Sequence, residues 1–457
     1  MRKSSLIISM LLIAFSSLKA QTNPAITNWM QNTTTTGFYY VSGNSTPISH
    51  GILVNCQQVR YSTNNVYIDA TGMPAYHIGP YLDGNPNQAG NQNAIFKFPL
   101  NPAENTGTKT PTTGGNIGIF VNGVAMFDFR DGVVWNTTTN TWCGGPGNPP
   151  CPGGPGATQS WMRDAVLFEK PGFDCSKGHP AGTNYHHHQN PSAFDLDLSV
   201  VSTICNLYDA DGLYTINPNQ HSPLIGFAYD GFPIYGAYGY ANADGTGGIT
   251  RIKSGYQLRS IQVRTHHADG TDVPDGPPVN TAYPIGTFRE DYEWVSHSGD
   301  ASYLDVHNGR FCITPEYPNG TYAYFATVDT NHNSAYPYLI GPTYYGVKSG
   351  SKVTSISEAT SVYNPVLSTT ATILNNLDVK IFPNPTSDII AIQISGINNQ
   401  DLKIEMFDLQ GKLIKQTNLN KGQTISYFDI QTLYSGTYLI KISNNEHSFS
   451  RKIIVDK

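Results

Sequence analysis

Short apolar runs separated by turn residues follow one another along the first three quarters of the chain. Segments such as NVYIDATG, NIGIFVNGVAMFDF and GTYAYFATVD combine β-branched and aromatic residues and are bounded by Gly, Pro, Asn or Asp. Such runs are typical of β-strands joined by structured turns, and they disfavour a helix bundle. The pattern over residues 21–346 therefore predicts one large β-rich domain.

The pattern changes twice towards the C-terminus. Residues 347–376 are rich in Ser and Thr and lack a sustained hydrophobic period, which predicts a linker. Residues 377–457 alternate apolar and polar positions in segments such as IIAIQI, LKIEMFD and GTYLIKI. About seven short strands in roughly 80 residues suit an Ig-like antiparallel sandwich. The predicted fold class is therefore mainly β, with a large β-rich domain followed by a small seven-stranded β-sandwich.

The composition supports a β-rich fold and argues against a nucleic-acid partner. The chain has 28 Tyr, 44 Gly and 30 Pro, and only 13% of its residues are charged. Its formal net charge of -6 gives no basic footprint for a nucleic-acid partner, and we expect none.

The first residues, MRKSSLIISMLLIAFSSLKAQT, have the form of a targeting segment. Arg2 and Lys3 precede an apolar stretch, and Ala20 is the small residue before a cleavage point, so residues 1–20 are predicted to be a signal peptide. No later run approaches the roughly 18 apolar residues of a membrane-spanning helix, and we expect no such segment in the mature chain.

Export into an oxidising space favours disulfides for the six cysteines, although six cysteines allow 15 pairings. Cys143 and Cys151 bracket the turn-rich GGPGNPP, which a local bridge would close. A bridge between Cys175 and Cys205 would clamp the histidine-rich segment between them. A zinc site of cysteines is disfavoured because the chain lacks a CxxC pair.

The segment GHPAGTNYHHHQNP holds four of the chain's 13 histidines. On a strand, His186 and His188 share one face with Cα atoms roughly 6.5 Å apart, close enough to bind one ion. His179 would fold back across the intervening turn, and His221 is a candidate fourth ligand. Neutral imidazole suits one transition metal ion, copper or zinc. The alternative is that these histidines belong to a solvated loop.

Other polar residues are candidates for supporting roles. Asp230 could accept the second N–H of a histidine ligand, and Tyr185 adjoins the ligands along the strand. A charged stretch further along the chain suggests a site loop formed by Asp300, Asp305, His307 and Arg310. The Asn308-Gly309 turn would bring Asp305 near Arg310, and a solvated loop with a structural ion pair is the competing interpretation.

Taken together, these segments resemble the YHYH-domain proteins. GHP…YHHH, HSPLIGFAYDGFPIYG, the NGRF segment and TPEYPNGTYAYF occur in the family's order between Gly172 and Gly346. The signature tetrad falls on residues 185–188, where His187 replaces the second tyrosine and removes its phenol. The resemblance implies no settled biochemical activity. TYAYFATVD also shares the alternation of NYHHHQ, which suggests a degenerate internal duplication.

The C-terminal region resembles a different family. FPNPTSD, EMFDLQGKLI, LYSGTYLIKI and the terminal KIIVDK resemble the type A sorting domain of the type IX secretion system of Bacteroidetes, over Leu377 to Lys457. The resemblance implies that the translocon of that system is a partner. It also implies that the protein is secreted or held at the outer cell surface, where the sorting domain is often removed or exchanged for an anchor.

Three functions fit these features. The first is a metal-dependent enzyme, a hydrolase or a copper oxidoreductase, with a polysaccharide or protein substrate. The second is a surface binding or metal-sequestering protein without turnover, and the third is a purely structural metal site. The chain has no G-x-S-x-G elbow, no H-E-x-x-H and no phosphate-binding loop, so the sequence identifies no catalytic residue.

Overall fold

Strands dominate the protein, which confirms the predicted mainly β fold class. The computed structural model describes residues 23–82, 88–145, 147–153, 159–200, 202–364, 378–384, 386–395, 401–408, 411–444 and 448–457. The predicted signal peptide and residues 365–376 of the predicted linker lie outside the described residues. The chain divides into a larger unit that ends at Tyr363 and a smaller unit that begins at Asn364.

Short strands and tight turns make up the larger unit. Its described strands are, in chain order, β1 (Thr36–Val41), β2 (Asn44–Leu53), β3 (Cys56–Tyr61), β4 (Asn65–Ala70), β5 (Ala94–Pro99), β6 (Asn116–Phe120), β7 (Ala125–Phe127), β8 (Arg130–Asn136), β9 (Thr141–Cys143), β10 (Met162–Asp164), β11 (His179–Ala181), β12 (Asn184–His187), β13 (Leu224–Ala228), β14 (Pro233–Tyr235), β15 (Tyr238–Tyr240), β16 (Ile249–Arg251), β17 (Tyr256–Leu258), β18 (Tyr292–Trp294), β19 (Gly309–Cys312), β20 (Thr321–Phe325), β21 (Ser351–Val353) and β22 (Ser361–Tyr363). Its described helical segments are α1 (Pro24–Thr27), α2 (Ala165–Glu169) and the 3₁₀ turns Lys170–Gly172, Phe194–Leu196, Ile204–Asn206 and Arg289–Asp291.

An eight-stranded sheet with a palindromic order forms the centre of the larger unit. Its strands run β11-β12-β7-β6-β13-β14-β20-β19. Each half contains an antiparallel hairpin, β6–β7 or β13–β14. The next strand, β12 or β20, runs parallel to β7 or β14. The edge strand, β11 or β19, pairs antiparallel with that strand. We call these the histidine half, β6, β7, β11 and β12, and the aromatic half, β13, β14, β19 and β20.

A local two-fold relation joins the halves at β6 and β13. Ile119 pairs with Phe227, Gly118 pairs with Ala228, and Gly226 pairs with Phe120. Gly118 and Gly226 occupy equivalent positions in the two halves. Glycine is required at both because the strands approach each other closely there. A Cβ added to Gly226 would lie 2.6 Å from the carbonyl oxygen of Ile119, and one on Gly118 would collide with the carbonyl oxygen of Phe227. The register therefore makes each paired position in one half equivalent to a position in the other.

Both halves contribute to one core. Apolar side chains from the central strands are buried together, including Ile117, Phe120, Ile225, Phe227, Ile234 and Phe325. A five-stranded sheet, β21-β5-β4-β3-β22, adds residues such as Val59, Ile68 and Phe96 to the same core. Strands β21 and β22 lie inside the range 347–376 that the Ser/Thr-rich composition predicts as a linker. They pair with β5 and β3, whose backbone groups would otherwise form open edges.

The smaller unit has two antiparallel sheets. Its strands, seven over the described residues, are β23 (Asp378–Phe382), β24 (Ile389–Ser395), β25 (Leu402–Phe407), β26 (Leu413–Leu419), β27 (Ile425–Asp429), β28 (Gly436–Ser443) and β29 (Ser448–Val455). They form the sheets β23-β24-β27 and β26-β25-β28-β29. Ile392, Ile404 and Ile440, from both sheets, share one core. This confirms the predicted small β-sandwich of seven strands.

Candidate metal centre

The histidine-rich segment forms the hairpin of β11 and β12. His179 pairs with His186, and the next pair is Pro180 with Tyr185. Strand β12 also runs parallel to β7, with His186 opposite Ala125. Because side chains alternate across a strand, His186 and His188 extend to the same face and meet His179 from the neighbouring strand. The structure thus brings together three of the four histidines predicted as ligands.

The ring nitrogens of these histidines converge with one carboxylate. Nε2 of His186 lies 3.0 Å from Nε2 of His188. Oε2 of Glu169 lies 3.1 Å from Nε2 of His188 and 3.2 Å from Nε2 of His179. One potential ligand atom from each of these four residues lies within 4.8 Å of the others. Three imidazole nitrogens and a carboxylate oxygen are a donor set suited to zinc or copper.

The other ring nitrogens fix the tautomers. Nδ1 of His186 lies 3.0 Å from the carbonyl oxygen of Asn184, and Nδ1 of His188 contacts that of Asp128. A carbonyl oxygen can only accept, so both Nδ1 atoms carry the proton and donate it. In the neutral rings, both Nε2 atoms then present lone pairs to each other. Two lone pairs at this separation repel unless a proton or a cation lies between them.

Burial affects the protonation of His186 and Glu169. All three histidines are buried, whereas the Glu169 side chain is 22% exposed. Burial, reinforced by the nearby His188 and His179, lowers the pKa of His186 well below its ordinary value. Burial opposes ionisation of Glu169, but the adjacent His188 and His179 outweigh it and lower the pKa of that carboxyl. The cluster therefore offers a neutral imidazole at His186 and an ionised carboxylate at Glu169, the protonation states that metal ligands need.

Glu169 could not be recognised as a ligand from the sequence. It ends the five-residue helix α2, whose N-cap Asp164 accepts a hydrogen bond from the backbone N–H of Leu167 at 2.9 Å. Tyr338 donates to both oxygens of Asp164 and anchors the helix to a distant loop. The only signal in the sequence is an acidic residue ten positions before His179, which nothing distinguishes from a surface glutamate.

Tyr185, predicted to support the ligands, holds the hairpin in place. Its hydroxyl donates to the fully buried Asp174, which also accepts from the backbone N–H groups of Gly79, Ser176 and Gly178. Burial raises the pKa of Asp174 to about 7 in spite of these donors. Tyr185 therefore stabilises the turn that precedes β11 and makes no contact with the ligand nitrogens.

His187 points away from the cluster, and a second tyrosine completes its environment. Its Nδ1 lies 3.0 Å from the carbonyl oxygen of Lys177, and its Nε2 lies 2.6 Å from the hydroxyl of Tyr76. Tyr76 is also hydrogen-bonded to the Asn122 side chain. Tyr76 thus supplies a phenol next to the position where the family signature has its second tyrosine. The sequence could not show this, because Tyr76 lies 111 positions away.

His221 precedes β13 and Asp230 lies in the turn between β13 and β14, and the structure places neither in the cluster. The His221 ring packs against Tyr235 and Tyr240, and its Nδ1 lies 2.8 Å from the Ser222 carbonyl oxygen. Asp230 accepts from the Tyr324 hydroxyl and from the backbone N–H of Gly346. The sheet order separates β13 and β14 from β12 by β7 and β6, so these two residues are not brought to the histidines.

The site loop predicted further along the chain is not assembled around the histidines either. Asp300 accepts from Ser302 and from Lys253, and His307 contacts Thr343. Asp305 accepts from Tyr322 and from backbone N–H groups of its own turn. Arg310 donates instead to backbone carbonyls of Tyr240, Ala241 and Ala301. The expected pairing of Asp305 with Arg310 is not formed, because the turn and Tyr322 already satisfy the carboxylate.

Both predicted disulfides are present. Cys143 is bonded to Cys151, and Cys175 is bonded to Cys205. The second bridge encloses the whole β11–β12 hairpin. Cys56 and Cys312, for which the sequence left the pairing open, are buried free thiols.

Comparison with known families identifies two regions of the chain. Residues 95–336 match the family described as YHYH protein, and residues 380–456 match the secretion system C-terminal sorting domain. The second match indicates export by the type IX secretion system to the outer cell surface or the extracellular space, as predicted. Within the described residues, no helix has the length and apolar character needed to cross a membrane.

A further similarity involves a protein of Formosa agariphila that is named endo-acting ulvan lyase. The two chains are 33% identical over 79 residues, which is 17% of this chain and 15% of the lyase. The present chain thus spans less than a sixth of that relative's length. The activity in the relative's name describes that protein alone.

Proposed function

This chain belongs to the YHYH protein family, and we propose that its YHYH domain binds one transition metal ion outside the cell. The ligands are His179, His186 and His188 through their Nε2 atoms, with Glu169 as the fourth group. Copper and zinc are the ions that this donor set favours. Export by the type IX secretion system places the centre where extracellular metal and substrates are available.

The observation that carries the proposal is the facing pair of Nε2 atoms on His186 and His188, 3.0 Å apart. Both rings are committed to donating from Nδ1, so neither can donate from Nε2 without becoming charged. Burial disfavours that charge on His186. A metal ion removes the repulsion and uses both lone pairs, whereas an apolar core would not orient four donor atoms to one point.

We further propose that the centre serves a metal-dependent enzyme. A bound ion of this class acts as a Lewis acid, and copper would add redox chemistry. The three histidines hold the ion, and the partly exposed Glu169 marks the side from which an extracellular polysaccharide or protein would approach. There the Glu169 carboxylate would accept a proton from an attacking group.

The burial of all three histidines and the four converging ligands favour a second candidate, a closed and non-catalytic metal site. Four protein ligands complete a tetrahedral zinc site, and such sites stabilise the fold. In that case Glu169 would be a permanent ligand. A metal-sequestering surface protein would use the same closed geometry.

Elemental analysis of the full-length protein tests the proposal. We expect about one equivalent of copper or zinc per chain, lost in His186→Ala and His188→Ala and retained in His266→Ala, whose ring is half exposed. A folded protein that contains no metal and cannot be loaded would contradict the proposal.

The two candidates differ in whether the ion has an open position. Azide added to the Cu(II)-loaded protein should change its visible and electron paramagnetic resonance spectra if a position is open. Unchanged spectra would favour the closed site. Glu169→Gln separates the roles of the carboxylate, since the metal content falls if it is a ligand and persists if it acts as a base.

A further inference from the structure

A pocket lined by aromatic and charged side chains lies in the larger unit, outside the metal centre. Its volume is about 250 Å³, and Tyr256, Tyr292, Trp294, Tyr336 and Arg289 are among its lining residues. The rings of Tyr292 and Tyr336 are stacked with centroids 4.1 Å apart, and Tyr256 packs edge-on against Tyr336 at 5.3 Å. Aromatic walls with a few polar groups are typical of small-molecule sites.

Arg289 is the cation of this pocket. Its Nε lies 2.9 Å from Oε1 of Glu290, and its guanidinium packs over the ring of Phe129 at 5.4 Å. Within the described part of the chain, its two Nη atoms make no hydrogen bond. An arginine held at Nε with its Nη atoms unused presents the planar fork that binds a carboxylate in bidentate fashion.

Most other polar groups of the pocket already have hydrogen-bond partners. The Nη atoms of Arg289 are therefore the main donors in the pocket that lack an acceptor among the residues that the structure describes. Oε2 of Glu290 accepts from the backbone N–H of Met162 at 2.8 Å, so both of its oxygens are engaged. Glu293 accepts from Gln257, and Asp269 accepts from the backbone of Thr271. The hydroxyls of Tyr292 and Tyr336 make no hydrogen bond to the described residues. The pocket thus combines ring faces with donors that call for acceptor oxygens.

We propose that this pocket binds a carboxylate carried on a ring, with the ring against the tyrosine and tryptophan faces and the carboxylate on Arg289. Asp269 and Glu293 oppose an anion through their charges, as does Glu290, which already pairs with Nε of Arg289. The effect of Asp269 and Glu293 is weakened by solvent and salt, because Asp269 is exposed and Glu293 is half-buried. A desolvated bidentate pair with Arg289 is the stronger effect. Sugar acids and aromatic acids both carry a carboxylate on a ring.

The proposed site is independent of the metal, although residues of both sites contact the segment Asp128-Phe129. Tyr336 and Arg289 both pack against Phe129. The preceding residue, Asp128, provides the carbonyl oxygen that orients His188. A ligand in the pocket would therefore contact two residues that pack on Phe129, next to the residue that orients His188. Binding does not require the ion, so the experiment is run with and without a chelator.

Isothermal titration calorimetry of the full-length protein with glucuronate, benzoate and neutral glucose tests the proposal. We expect at least one of the two acids to bind at least about tenfold more tightly than glucose. Tighter binding of glucuronate would identify a sugar acid as the source, and tighter binding of benzoate an aromatic acid. If neither acid binds, or glucose binds as tightly as the better acid, the proposal is wrong.

Arg289→Lys keeps the charge but removes the fork, and it should weaken binding of the preferred acid at least about tenfold. Arg60→Lys is the matched control, because Arg60 pairs with Asp69 outside the pocket and its replacement should leave affinity unchanged. Tyr292→Phe keeps the ring and Tyr292→Leu removes it, so only the second should lose most of the binding. Unchanged affinity in a folded Arg289→Lys protein would overturn the proposal.

Discussion

The two halves of the central sheet have the same strand order and pairing but carry different side chains at equivalent positions. In the histidine half, His179 pairs with His186, and in the aromatic half Arg310 pairs with Ala323. The parallel pairing of β14 with β20 repeats that of β7 with β12, so Phe325 occupies the place of His188. Three ligand positions are thus filled by arginine, alanine and phenylalanine in the other half.

The turn before each edge strand is also repeated. In the histidine half, Asp174 accepts from the backbone of Ser176 and Gly178 and from the hydroxyl of Tyr185. The aromatic half has the same arrangement around Asp305, which accepts from the backbone of His307 and Gly309 and from Tyr322. The residue before each glycine, Lys177 or Asn308, has a φ of 64°. The duplication suggested by two short aromatic segments therefore extends through a whole half of the sheet.

This comparison separates what the fold needs from what a function needs. The aromatic half forms the same strands with Ala323 and Phe325 buried at the ligand positions, so the backbone does not require imidazoles there. Burying polar rings that face one another costs free energy, whereas burying alanine and phenylalanine does not. The histidines are therefore best explained by a ligand that they share, and the aromatic half serves as an internal control.

The largest expected effect comes from giving the histidine half the residues of the aromatic half. The double change His186→Ala and His188→Phe removes two ligands but keeps side chains that this backbone accommodates elsewhere. We expect metal affinity to fall by at least about 10⁴-fold, or about 5.5 kcal/mol, while the circular dichroism spectrum stays that of a β protein. Competition with a chromophoric chelator measures the affinity.

The reverse change provides the control. Ala323→His and Phe325→His in the aromatic half should create no metal site, because Arg310 occupies the position of His179 and donates to three backbone carbonyls. If the protein with His186→Ala and His188→Phe kept its metal, the assignment of the ligands would be wrong.

A second difference between the halves is covalent. Cys175 and Cys205 close a loop of about 30 residues around the β11–β12 hairpin, and the position equivalent to Cys175 is Val306. Loop-closure entropy for this length gives about 3 to 4 kcal/mol of stability. We expect Cys175→Ala with Cys205→Ala to lower the free energy of unfolding by that amount, measured by urea denaturation of the metal-free protein. Removing the Cys143–Cys151 bridge, whose loop is shorter, should cost less.

The sequence predicted most of the fold but only part of the site. The reason is that patterns along a strand are visible in the sequence, whereas contacts between residues far apart in the chain are not. Alternation along a strand is local, so the strands, the small sandwich and the shared face of His186 and His188 could be recognised. Glu169 and Tyr76 come from other elements and reach the histidines only through tertiary pairing. His221 could not be placed from the sequence, because a local pattern does not show that β7 and β6 separate the following strand, β13, from β12.

The smallest expected effect concerns the repeated tyrosine. Tyr185→Phe and Tyr322→Phe each remove one hydroxyl donor from a buried carboxylate, and hydrogen bonds to charged groups contribute about 2 kcal/mol. We expect each variant to lose about that much stability and the two losses to add, because Asp174 and Asp305 share no partner. Only Tyr185→Phe should also weaken metal binding, since Asp174 fixes the turn that leads into His179. Equal weakening by Tyr322→Phe would show that the halves are coupled and that the aromatic half is not a neutral control.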